Sequence, residues 1–134
     1  YRSDLEDFLG KAMLFLNDPA SETFRNNFPD LFDIAMSKCT TILGIGCFRL
    51  PKKHGGSRRP ISMALFEAVV YLILETIDVP SEKQKNIKIE FEKLLSDEEF
   101  IRSTTYIVDS KININKRFEM IEKVVKVIKE IKND

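Results

Sequence analysis

Ser62-Met63-Ala64-Leu65-Phe66-Glu67-Ala68-Val69-Val70-Tyr71-Leu72-Ile73-Leu74-Glu75-Thr76-Ile77 decides the fold. Ser62 is suited to cap a helix, because its hydroxyl can accept a bond from a first-turn N–H that has no helical partner. Behind it the side chains are apolar nearly all round. A helix of that kind is usually the buried, central one. The stretch therefore predicts a central helix over about 62–77. Glu67 and Glu75 are its two charges. A buried carboxylate must be paired or it costs several kcal/mol. Glu67 lies one turn inside the helix, so Arg49, Arg58 or Arg59 from the preceding segment is its expected partner.

That preceding segment, Arg49 to Pro60, carries Arg49, Lys52, Lys53, Arg58 and Arg59 and no acid. It leads into the positive, donor-rich end of the central helix. Cations there can hold an anion, a nucleic-acid phosphate or an acidic partner surface. The planar fork of arginine suits phosphate and carboxylate. The plainer reading, a solvated basic loop, stands beside it. Gly55-Gly56 makes the loop pliable. The G-x-x-x-x-G-K-[ST] pattern of a nucleotide-cradling loop is missing. His54 is the one imidazole and sits among glycines without a partner, which reads as a solvent-facing side chain.

Five more helical segments are predicted around the central one. Ser3 with Glu6 makes a capping box for a first helix carrying Leu5, Phe8, Leu9, Ala12, Met13 and Leu16 at helical spacing. Asn17-Asp18-Pro19 ends it. A second region spans about 21–43, with a break at Asn27 and Phe28 and Pro29 restarting the helix. Its inner stripe is Leu31, Ile34, Ala35, Lys38, Cys39 and Ile42, and Gly44 is the stop. Ile45 to Leu50 reads as a short extended or turn segment. After Asp78-Val79-Pro80, Ser81 with Gln84 and Ser96 with Glu99 make two more capping boxes. They open helices with Ile87, Phe91, Leu94 and Leu95, then Phe100 and Ile101, turned inward. Ser103-Thr104-Thr105 is a polar turn. The last helix starts near 112–115 with the stripe Ile114, Phe118, Ile121, Val124, Val125, Ile128 and Ile131. Lys126, Lys129 and Lys132 line its outside, where the dipole favours cations. Ile107-Val108 and Ile112-Asn113-Ile114 have strand propensity but no pairing partner nearby. The fold class is all-α, a single domain of five or six helices, 1–134.

A chain of 134 residues, 43% hydrophobic and 31% charged, is sized for one core. Its net charge is zero, with 21 basic and 21 acidic side chains. A dedicated nucleic-acid binder is normally more basic. Yet residues 1–33 hold seven acids against three bases, and residues 111–134 hold seven bases against four acids. Any anion-binding role is therefore local. Cys39 and Cys47 form no C-x-x-C pair and, with a lone histidine, no zinc set. They read as buried reduced thiols, which suits a cytoplasmic setting. No apolar run is long enough for a membrane span. The chain opens at Tyr1-Arg2 and reads as a piece of a longer protein.

Little else carries chemistry. Arg117, on the inner side of the last helix, is placed to satisfy the backbone of the Ser103-Thr104-Thr105 turn. No metal cluster, cofactor motif, Ser/His/Asp set or His-x-x-Asn nuclease pattern is present, so no residue is assigned a catalytic role and no cofactor is expected.

Phe48-Arg49, the basic spacer, and Arg59-Pro60-Ile61-Ser62-x-Ala64-Leu65-Phe66-Glu67-Ala68 resemble the later helical part of GmrSD-type proteins, which carry an N-terminal ParB-like domain. Asp97-Glu98-Glu99-Phe100, Ser103-Thr104 and Arg117-Phe118 follow in a similar order. The resemblance covers roughly residues 24–130. It implies a helical region that follows a ParB-like domain in DNA-targeting, phage-defence and restriction proteins. In those, nucleotide hydrolysis and DNA cleavage belong to domains this sequence does not contain. Arg49, Arg59, Ser62 and Glu67 match the motif, and the resemblance assigns them no enzymatic role. Two functions are expected. The first is a non-catalytic accessory domain whose basic loop contacts phosphate or the N-terminal domain of the same protein, with nucleic acid as a possible partner. The second is a ligand-free interaction scaffold.

Overall fold

The structure is a computed structural model that describes residues 5–52 and 54–131. Among the described residues there are six α-helices and no strand: α1 (Leu5–Asn17), α2 (Glu22–Lys38), α3 (Met63–Glu75), α4 (Gln84–Leu94), α5 (Glu98–Thr105) and α6 (Lys111–Glu130). No helix among them is long and apolar enough to cross a membrane.

Helix α3 is the axis. Ser62 caps it, its Oγ accepting from the Leu65 N–H at 3.2 Å. Leu65, Ala68, Val69, Leu72 and Ile73 are buried. Around them gather Ile121, Val124, Val125 and Ile128 of α6, Ile87, Phe91 and Leu94 of α4, and Phe100 of α5, with Cys39, Cys47 and Leu50 completing one continuous core. Each large side chain buried there contributes roughly 1.5–3 kcal/mol. The stripes of α4 and α6 fall inward as their spacing requires, with Ile114, Phe118 and Ile131 only half-buried. Tyr71 and Phe118 meet edge-to-face at 5.2 Å across the α3–α6 seam.

Several local expectations are corrected. The Ser3–Glu6 capping box involves a residue outside those described, as does Lys132. Pro29 does not break α2: the helix runs unbroken through it. The ladder bond that a residue-29 N–H would give to the Arg25 carbonyl is lost. Residues 26–34 are all exposed, so water can serve that carbonyl. Leu31 and Ile34 of the expected inner stripe are exposed, while Ala35 and Cys39 are buried and Lys38 and Ile42 half-buried.

Helix α2 ends in a π-type turn, Cys39–Leu43, in which Thr40 and Thr41 donate to main-chain carbonyls of Met36 and Ser37. Thr hydroxyls bonding back in this way distort helical ladders. Gly44, at φ 97°, then reverses the chain.

The two later capping boxes are displaced. Ser81 starts a short 3-10 turn, Ser81–Lys83, without a side-chain cap. Asp97 rather than Ser96 caps α5, its carboxylate accepting from the Phe100 N–H at 3.0 Å. Ser96 instead donates to the Glu92 carbonyl. Helix α6 starts at Lys111 with Ser110 as its cap. Ser103, Thr104 and Thr105 lie in the last turn of α5, their hydroxyls donating to the Phe100 and Ile101 carbonyls.

The connection from α5 to α6 is held taut. Asn113 Nδ2 donates to the Tyr106 and Ile107 carbonyls, at 2.6 and 3.1 Å, and the Ser110 N–H donates to Ile107 as well. These bonds hold Ile107 at φ 41°, a left-handed conformation that a β-branched residue resists.

Two stability measurements check this architecture. Leu72→Ala, at a side chain with no exposed surface, is expected to cost about 2–5 kcal/mol in denaturant unfolding. Ile107→Asn is expected to raise stability by about 1 kcal/mol, because Asn tolerates the left-handed conformation that Ile does not. A loss on Ile107→Asn would show that the exposed side chain contributes more than its backbone strain costs.

Candidate anion and partner interface

The basic loop is stapled at its base and free at its tip. The Ser62 N–H donates to the Phe48 carbonyl at 2.9 Å, so the chain leaves and re-enters at one point beside the head of α3. Arg49 Nη1 donates to the Arg59 carbonyl at 2.5 Å, closing the same neck from the side-chain direction. Phe48 packs on Phe66 of α3, ring centroids 4.9 Å apart, and buried Leu50 anchors the outgoing strand of the loop. Cys47 lies below, also in the core.

The candidate residues divide accordingly. The Arg49 guanidinium serves the main chain of Arg59 and is half-buried. The Arg59 side chain is half-buried beside it. Lys52 and Arg58 are exposed, as is His54, and among the described residues no acid pairs with Lys52, Arg49, Arg58 or Arg59 within salt-bridge distance. Lys53 lies outside the described residues. Gly55, at φ 71°, makes the turn at the tip.

Glu67 has a cation beside it, but from another element than the loop. Its Oε2 lies 3.6 Å from Nη2 of Arg117 on α6. Phe48 brings the loop in on the Phe66 side of α3. One residue later the helix has turned by about 100°, which aims Glu67 at α6 instead. Sequence spacing along the chain could not distinguish these two directions.

Arg117 is the largest fully buried side chain, at 2% exposure. Its Nη1 donates to the Ser103 carbonyl at the end of α5, at 2.7 Å, and to the Val108 carbonyl in the connection, at 2.9 Å. One guanidinium thus links α3, α5, α6 and the 106–110 connection. A charge this deep is tolerated because polar partners replace its water. Beside it, Phe8, Met63, Ala64, Val108, Ile114 and Phe118 line an apolar cleft of about 500 Å³, with Glu67, Asp109 and Arg117 as its polar groups.

Three other groups have altered chemistry. Burial, with Cys47 as a neighbour, pushes the Cys39 thiol up to about 12, and burial also raises Cys47. Both are free thiols locked in the neutral form and poorly nucleophilic. Tyr71 on α3 donates its hydroxyl to the Glu122 carboxylate of α6, and that bond pushes its ionisation up to about 12. Sequence reasoning missed the Tyr71–Glu122 pair. The signal available was a tyrosine on an otherwise apolar helix, whose hydroxyl needed a partner. Among the described residues no group of three or more His, Cys, Asp or Glu side chains is placed to hold a metal ion.

No protein-family model matches the chain, and no curated protein or solved structure matches it significantly.

Two measurements bear on this geometry. Arg117→Met strips the Ser103 and Val108 carbonyls of their donor and leaves Glu67 without its cation. Because Glu67 is half exposed and stays solvated, the loss comes from the two carbonyls left without a donor; about 1–3 kcal/mol is expected, with Arg117→Lys recovering only part of it, since an ammonium cannot span the same carbonyls. In an ultraviolet alkaline titration, one phenol is expected to ionise near pH 12, and Tyr71→Phe should remove that phase. Folding favours the neutral phenol here. Its stabilising contribution is therefore complete below the ordinary range near pH 10 and is lost as pH rises through about 12.

Proposed function

We propose that this chain is a non-catalytic helical accessory domain of a ParB-like, GmrSD-type DNA-targeting protein, and that the basic loop is its contact to phosphate or to the adjoining N-terminal domain. One observation carries the reading. A loop rich in cations, with no acid partner among the described residues, is fastened at its neck to the most buried helix of the domain. A fixed base with free cations at the tip is what a docking element for an anionic surface requires. Arg49 holds the loop's shape. Lys52, Arg58 and the Arg59 head supply the charge.

A second reading, a protein-binding scaffold without a ligand, is favoured by a different observation. Ile45, Ile61 and Met63 flank the loop and are 84%, 55% and 66% exposed. Apolar side chains beside an uncompensated basic tip suit an acidic, partly apolar protein surface.

Fluorescence anisotropy with duplex DNA tests the phosphate contact. Binding in the micromolar range at low salt is expected, with log K falling by about two to four units per decade of salt, the slope of a few neutralised phosphates. The double substitution Lys52→Glu and Arg58→Glu should weaken it at least tenfold, because neither side chain takes part in the neck. Unchanged binding in that variant removes the loop from any phosphate role. No DNA binding by the wild type, together with loop-dependent capture of an acidic protein, would favour the scaffold.

A further inference from the structure

No further inference is drawn: the strongest candidate, the apolar cleft of about 500 Å³ between the first turn of α3, the 106–110 connection and α6, carries nothing, because its buried guanidinium is already engaged with the Ser103 and Val108 carbonyls and nothing in the structure shows what fills the cleft.

Discussion

The burial of α3 is the constraint on which the rest depends. Ala64, Leu65, Ala68, Val69, Leu72 and Ile73 of α3 are buried, and that face cannot be left in water, so the other elements must close over it. Its first turn then becomes the fixed point of the molecule. On one side of that turn Phe66 receives Phe48 and fastens the neck of the basic loop. On the other, Glu67 faces the buried guanidinium of Arg117. The loop and the brace are independent in chemistry but share this one support.

Arg117 shows how a buried charge can serve architecture. Hydrophobic contacts between α3, α5 and α6 are tolerant of small slips, because one methyl group can replace another. A planar fork that must meet the Ser103 and Val108 carbonyls is not. It fixes the end of α5 against α6, and with Asn113 it holds the intervening connection in a conformation Ile107 would not adopt unaided. We read this as specificity of packing more than a gain in stability, since burying an ion costs much of what its bonds return.

Much of this architecture was legible in the sequence, and the misses have physical causes. Helix α3, the stripes of α4 and α6, the Gly44 stop and the Ser62 cap follow from local periodicity and capping chemistry, which the chain carries in the open. Arg117 beside Ser103 was readable because a polar turn before a helix needs a donor. The unbroken α2 was not, since the cost of Pro29 depends on whether its orphaned carbonyl meets water. The move of the α5 cap from Ser96 to Asp97 is a one-residue shift between two eligible side chains, and the Ser81 box gives way to an uncapped 3-10 turn; tertiary packing decides both. The partner of Glu67 depended on which side of α3 the loop enters. The open aromatic face of α2, with Phe24, Phe28 and Phe32 all exposed, was hidden for the same reason: periodicity marks a stripe as apolar but does not say what covers it.

The central claim is that a rigid α3 holds the loop neck and the Arg117 brace in fixed relation while the N-terminal hairpin stands outside that core. Native-state hydrogen exchange measures this directly. The account expects the amides of Leu65 through Ile73 to be the slowest in the chain, exchanging only on global unfolding, with those of α1 opening at much lower free energy. If α3 exchanges as readily as α1, the helix is no axis, and the loop neck built on its first turn has no support.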